Sequence, residues 1–389
     1  MKRIVIVILT LTMLLTLCAC GRKGREEISV IRIGVLEPRS GKYSAEGMRE
    51  TLGIQYANET MPTLQLNGKT YEVELVLTDD ASSAEGAVSA AESLVTAGCC
   101  AVIGSFAPEA SAAASDVFLS AGLPAIAASS DDPLLTQGND HYFRICCLPA
   151  FQGTALASYA RNTLGAKSAY CLVQSGDEAQ AALLRAFRQQ AEALEVMVTV
   201  AEFPANCTDF TPWLNGAKDA GVGVIFAPCA IRYAQRLIEQ SEENEIGIPL
   251  LAGDSWDDDA ILSAAEERSV NVYVCVMYAE GADAEFDEGF KGWLNSNSEA
   301  LAYNGGSDGI SPLSALGYDA YMTVLSAIRL AGRTDKADVL AILPRVSCAG
   351  VSGSFVFDDD GDAVRSAAWI KKADPETGTW LLAGAAKVS

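Results

Sequence analysis

Apolar and polar positions along this chain switch repeatedly between a period of two and a period near 3.6. The switching divides the chain into units of strand followed by helix. Ile31, Ile33 and Val35 recur at every second residue, as on one face of a short buried strand. A turn crowded with Ser40, Gly41, Ser44 and Gly47 follows, and Leu52, Ile54 and Tyr56 belong to the helix after it. A strand that enters a helix through such a turn points backbone N–H groups at whatever lies above the strand's carboxyl end. Leu66-Asn67-Gly68-Lys69 is a tight-turn signal, and Tyr71–Leu77 alternates up to Thr78-Asp79-Asp80. The helix expected over Ala81–Ala97 turns Ala84, Ala87, Val88, Ala91, Leu94 and Val95 to one side, with Asp80 or Ser82 as cap and Gly98 as stop. Ala101–Gly104, Gly122–Ala127 and Tyr142–Ile145 read as buried strands, with an Ala/Ser helix ending at Ala121.

A second set of units follows. Gln152–Leu164, Glu178–Ala193 and Ala230–Gln240 read as helices. Ala169–Val173, Val196–Val200, Val222–Ala227, Leu250–Ala252 and Val272–Met277 read as strands. Two late helices are expected at Glu285–Asn295 and Pro312–Ala331, then a hairpin of Phe355–Phe357 and Ala367–Lys371 around the acidic turn Asp358–Asp362. Strands alternating with helices in this way predict parallel sheets covered on both faces, here an α/β chain of two lobes joined by several crossovers.

Composition narrows the function. The 389 residues suit two lobes of ordinary size, and 50% hydrophobic content is enough for substantial cores. A formal charge of −22 repels nucleic acid and anionic lipid. The single histidine, His141, argues against a His-based metal site or a Ser-His-Asp triad and reads as an ordinary surface residue. Nothing in the chain reads as C-x-x-C, and no metal or cofactor is expected. Of eleven cysteines, Cys99-Cys100 and Cys146-Cys147 are adjacent pairs that bridge each other only with strain. Cys171, Cys275 and Cys348 stand where Ala or Val would serve, so small apolar packing is their expected role.

The N-terminus carries an address. Lys2 and Arg3 precede the apolar run Ile4–Leu17, whose fourteen residues are short for a membrane span and right for a signal segment. Leu17-Cys18-Ala19-Cys20-Gly21 resembles a bacterial lipobox, which implies lipidation at Cys20; an ordinary secretory signal cleaved nearby is the other reading. Residues 1–19 are then the signal, and residues 20–30 a polar tether.

Beyond pattern, the opening resembles the periplasmic binding proteins of the branched-chain amino acid family. Gly34, Val35, Pro38, Ser40, Gly41, Tyr43 and Gly47 stand where that family has Gly-Val, Pro, Ser/Thr-Gly and Tyr-x-x-x-Gly. Asn67-Gly68, Asp79-Asp80, Phe143-Arg144, Gln152-Gly153, Phe203-Pro204-Ala205 with Thr208-Asp209-Phe210, Ala252-Gly253-Asp254-Ser255-Trp256, Ala315–Ala320 and Phe357-Asp358 with Gly361-Asp362 continue the resemblance in order. It implies two Rossmann-like lobes, the periplasmic binding protein type I fold. The expected division is 31–147 with 280–348 in lobe one and 148–279 with 349–389 in lobe two.

The resemblance also implies a ligand between the lobes, at the carboxyl ends of the strands. The loops would be Arg39–Tyr43, Ser105–Ser111 and Ser129–Pro133 in the first lobe, and Gln174–Gln180, Pro228–Arg232 and Asp254–Asp257 in the second. Several positions depart from the family. Ala107-Pro108-Glu109 replaces the Ser/Thr that holds an α-carboxylate, and Asp131 stands after Ser129 and Ser130 where Thr is usual. Ala179 and Cys229 replace two Tyr residues, so the pocket should be wider than one for leucine. Asp254, whose counterpart accepts the ligand's ammonium, survives with Trp256 and Tyr43. Glu109, Asp131 and Asp254 in one cleft would favour an ammonium, amide or amidine group, whereas Glu109 and Asp131 are otherwise ordinary acids at helix starts.

The expected function is therefore a lipid-anchored, extracytoplasmic solute-binding protein. It would act as a monomer that captures an amino acid-like ligand and delivers it to an ABC transporter permease. A sensor of the same fold reporting to a membrane receptor is the alternative. No catalytic set supports an enzyme.

Overall fold

The computed structural model describes residues 29–177 and 180–388. Cys20, the signal segment and Ala179 therefore lie outside the described residues.

The first lobe is built on a six-stranded sheet in the order β2-β3-β1-β4-β5-β6. Its strands are β1 (Ser29–Glu37), β2 (Thr63–Leu66), β3 (Lys69–Asp79), β4 (Ala101–Gly104), β5 (Ala125–Ala127) and β6 (Tyr142–Arg144). All pairings are parallel except the β2–β3 hairpin. Helices on both faces explain why β4, β5 and β6 are apolar or buried at every residue rather than at alternate ones. The chain runs from β1 to β3 on one side and returns to β4 on the other. The resulting crevice opens above Glu37 and Gly104, where ligands sit in open α/β sheets.

The second sheet has seven strands in the order β16-β15-β11-β10-β9-β7-β8. Its parallel part comprises β7 (Ser168–Gln174), β8 (Met197–Phe203), β9 (Val224–Phe226), β10 (Leu250–Ala252) and β11 (Val272–Val276). β15 (Ala367–Asp374) and β16 (Thr379–Lys387) add an antiparallel hairpin at its edge. A small antiparallel sheet of β12 (Ser347–Gly350), β13 (Gly353–Phe357) and β14 (Ala363–Arg365) falls in the chain between β11 and β15.

Three details differ from the pattern-based reading. Phe355–Phe357 pairs with Ala363–Arg365 across the acidic turn, whereas Ala367 onward leaves for the second sheet. Phe355 and Phe357 pack in the first-lobe core with Ile33 and Phe143, so the chain joins the second sheet only at Ala367, later than residue 349. The helix expected from Ala81 begins at Ala84, and its cap is Ser83, whose hydroxyl accepts from the Gly86 N–H. Asp80 is instead fully buried, its carboxylate accepting from Ser105 Oγ at 2.6 Å and the Ser82 N–H at 2.7 Å.

The chain leaves the first sheet after β6 and returns to the second at β15 after the small sheet, and arginines tie these two passages together. Arg365 donates to the Ile145 carbonyl at 2.7 Å. Arg144, fully buried, pairs with Asp362 at 2.8 Å and also donates to Thr136 Oγ1 and the Asp132 carbonyl. Removing one partner from a buried pair costs about 3–5 kcal/mol, so these contacts hold the strand of Arg144 and the turn of Asp362 together.

Helix α1 (Ser44–Thr60) carries the first-lobe loop and crosses the long late helix Pro312–Ala331 at backbone distance. A Cβ at Gly53 would stand 1.8 Å from the Ser314 carbonyl oxygen, and one at Gly317 would stand 2.2 Å from that of Glu50. Two glycines thus set the depth at which α1 sits, and with it the burial of Glu50.

Candidate functional site

The loops at the carboxyl ends of both sheets are held by hydrogen bonds from their own short side chains. After β1, Asp79 accepts from the Arg39 and Ser40 N–H groups at 2.9 and 3.2 Å and from Ser40 Oγ at 2.7 Å. Burial raises this carboxyl, but those bonds and one from the Ala81 N–H outweigh it and hold it below its ordinary value. Tyr43 starts α1 with its N–H on Ser82 Oγ and its ring 5.6 Å from that of Phe106. Lys42 donates to the Tyr43 hydroxyl at 2.8 Å, a bond that chiefly raises the Lys42 ammonium, with a smaller upward push from Glu109, exposed in the first turn of the helix Pro108–Ala121.

After β4 the backbone is tied inward. Ser105 Oγ accepts from the Ala107 N–H at 3.2 Å, and Ser111 Oγ donates to the Ser105 carbonyl at 2.7 Å. Ala107 itself is fully buried, so it can offer a ligand only its surroundings, not its side chain. After β5, Ser129 is half-buried and donates its hydroxyl to Glu50; Ser130 is buried with no partner for its Oγ among the described residues. Asp131 is exposed.

In the second lobe, Asp254 opens a short 3-10 turn after β10. Gln152, from the helix Pro149–Asn162, clasps it twice: Gln152 Nε2 donates to Asp254 Oδ2 at 2.7 Å, and Gln152 Oε1 accepts from the Asp254 N–H at 3.0 Å. Water reaches the Asp254 carboxylate, yet protein crowds it. That crowding, then the charges of Asp131 and Asp257, push it up to about 6 against the Gln152 bond. Exposure and an upward shift coexist where one side of a carboxylate is wet and the others are low in dielectric. Asp131, after β5 of the first lobe, is thus among the charges that raise Asp254, after β10 of the second. Asp257 is neutralised by Lys371 at 2.8 Å, whereas no cation pairs with Asp254 among the described residues.

Two residues expected in the cleft belong to the core instead. Trp256 is fully buried, and its indole N–H donates to the Cys229 carbonyl at 2.8 Å. Cys229 is itself 1% exposed. A large ring two residues after an exposed Asp turns inward here because the 3-10 turn separates the two directions. Conversely, sequence reasoning passed over Gln152 as a contact and missed Glu37 and Glu50 altogether. Gly47, Glu50, Ile54 and Ala57 share one helical face, which places Glu50 among buried positions.

Two further hollows lie away from these loops, on the first lobe. One, about 560 Å³, is lined by Gln55, Asn58 and Trp293, and the other, about 690 Å³, by Val95, Asp116 and Val117. Among the described residues no group of three or more His, Cys, Asp or Glu could hold a metal ion, and no helix is long and apolar enough to cross a membrane.

A profile of periplasmic binding proteins matches residues 30–377. The chain belongs to the periplasmic binding protein family. Members of this family bind solutes outside the cytoplasm and are not enzymes. An amino acid binding protein of Pseudomonas aeruginosa is 25% identical over 336 residues, covering 85% of this chain and 86% of that one. A leucine binding protein, LivK, from Thermotoga maritima has 26% identity and a TM-score of 0.66, covering 92% of this chain and 99% of that one. A solved structure from Rhodospirillum rubrum shares the fold at a TM-score of 0.75 and 19% identity, over 91% of this chain and 99% of its own. The two-lobed α/β architecture expected from the sequence is the fold of these proteins.

Proposed function

We propose that this chain is an extracytoplasmic solute-binding lipoprotein that closes its lobes over a small amine-bearing ligand and hands it to the permease of an ABC importer. The ligand is an amino acid or a close relative of one, and the protein acts as a monomer. Asp254 carries the reading. It is a carboxylate with no counter-ion among the described residues, held by Gln152 at the edge of one lobe and raised in part by the charge of Asp131 on the other. Such a group gains most from a ligand cation that enters as the lobes close. The exposed acids Asp131 and Glu109, in place of carboxylate-binding hydroxyls, add to the preference for a positive or N–H-rich group. The partly exposed Tyr43 and Ser129 would be its contacts, whereas the buried Trp256, Cys229 and Ala107 would shape the walls from beneath.

A thermal-shift screen tests this on the soluble form from Ile28 onward. Amino acids, their amides, polyamines and short peptides form the panel. A ligand at about 100 times its Kd adds roughly 2.7 kcal/mol of stability. No shift across the panel sinks the reading. Anchoring is tested separately: Cys20→Ala should leave the membrane fraction while remaining folded, because an acidic surface has no electrostatic hold on anionic lipid. A mutant that stays with the membrane removes the lipid anchor from the proposal.

A further inference from the structure

Glu37 and Glu50 are acids that the ligand-binding reading leaves unused. Both are fully buried, one at the last residue of β1 and the other on the inner face of α1. Their hydrogen bonds leave one vacancy on each. The Phe106 N–H donates to Glu37 Oε2 at 3.0 Å and Ser129 Oγ donates to Glu50 Oε2, while Glu37 Oε1 and Glu50 Oε1 have no donor among the described residues. The two side chains lie within hydrogen-bond reach of each other. Two ionised carboxylates at contact in a dry interior would repel strongly and leave both Oε1 atoms unsatisfied. One proton between them removes the repulsion and satisfies both atoms.

We propose that Glu37 holds this proton and donates it to an ionised Glu50, so that Ser129 spends its only hydroxyl hydrogen on Glu50 and offers the cleft lone pairs alone. A serine hydroxyl has one hydrogen to give. With it committed, a ligand atom meeting Ser129 Oγ must be a donor, an ammonium or amide N–H, and a carboxylate is rejected there. The inference rests on the ligand reading above and makes Glu37 and Glu50 positioning residues that act through Ser129.

Burial raises both acids. Hydrogen bonds from Glu37 and Ser129 restrain Glu50; the Phe106 N–H restrains Glu37, which Glu50 and Asp80 push up. Tyr142, whose hydroxyl donates to the Gly104 carbonyl, and the Cys146 thiol are the other titratable groups that feel the pair, and neither brings a positive charge.

Infrared difference spectra of the free full chain, wild type against Glu37→Gln, read the proton directly. The expected result is a protonated-carboxyl C=O band at neutral pH that the variant lacks; subtraction cancels any contribution from Asp254. No such band overturns the proposal. Calorimetry with leucinamide and 4-methylpentanoate then reads the polarity of Ser129. In Glu50→Met the hydroxyl is released to donate, so the ratio of leucinamide to 4-methylpentanoate affinity should fall about tenfold. A merely structural role would weaken both probes together, and an unchanged ratio overturns the proposal. If Glu50→Met does not fold, the infrared band decides. If neither probe binds the wild type, the ligand reading fails while the band still decides the shared proton.

Discussion

Ligand capture should depend on pH through Asp254, and in a direction opposite to the stability of the empty protein. With the carboxyl at about 6, about nine-tenths is ionised near pH 7 and about one-tenth near pH 5. An ammonium needs the ionised form, so its Kd should rise about tenfold across that interval. Asp254→Asn keeps the shape and the Gln152 contact but removes the charge. Truncating a buried charge pair costs about 2–5 kcal/mol, and the lower end applies to a water-accessible group, so the loss should be about thirtyfold near pH 7. The same variant should bind independently of pH from about 7 to 5. The empty fold behaves the other way. A carboxyl raised above its unfolded value adds stability that is full below the unfolded pKa and is lost as pH rises through about 6. Because water reaches Asp254, that contribution is screened, and binding is the sharper readout. Asp131→Asn removes one cause of the upward shift and should move the binding midpoint to lower pH. Calorimetry across this pH range, on the panel ligand with the largest thermal shift, is the assay. A wild-type Kd that ignores pH, or an Asp254→Asn protein that binds as tightly as wild type, removes Asp254 from the site.

Two other variants probe the frame around the site. Trp256→Phe deletes the indole N–H that satisfies the Cys229 carbonyl. An unsatisfied buried acceptor costs about 1–3 kcal/mol, so the denaturant midpoint should fall while ligand affinity holds; a large loss of affinity would instead make Trp256 a contact. Gly53→Ala puts a methyl where the Ser314 carbonyl oxygen would be 1.8 Å away. Overpacking of this kind costs about 1–3 kcal/mol or more, and an unchanged melting temperature would mean that α1 and the late helix are not in close contact.

How much of this was legible in the sequence depended on whether local pattern or long-range packing decided the outcome. Ala101–Gly104 and Leu250–Ala252 are continuous apolar runs that have no stable place except a doubly covered sheet, and both are strands at every residue. The closing hairpin was misjudged because Ala363–Arg365 has only three residues and shows no alternation. β16, rich in Ala and Gly, carries too little β-propensity to announce itself and was not foreseen. At the site, Asp254 and Ser129 stood in recognisable positions after strands. The depth of Glu50 did not show, because it depends on how closely two glycines let a helix 260-odd residues later approach, a distance no local window contains. Trp256 looked like a platform for the same reason: a sequence gives the order of side chains after a strand, not which of them the next turn rotates inward.

The thiols offer a way to watch the lobes move. All nine cysteines of the described residues are free, and eight are buried. Burial pushes Cys99 and Cys348 up to about 11, and Cys100, Cys147 and Cys171 up to about 12. Cys146, Cys229 and Cys275 are also raised well above the ordinary thiol value. Thiolates are the reactive form, so these eight should resist alkylation in the folded state. Cys207 is the exception, half-exposed on the loop after β8. Its neighbour Asn206 donates its N–H to the Tyr233 hydroxyl, beside the Pro228–Arg232 loop. A form begun at Ile28 lacks Cys18 and Cys20 as well. A maleimide dye would therefore mark a single address in the native protein without replacing any residue. Its fluorescence would follow closure in real time, separating the rate of ligand arrival from the rate of the conformational step.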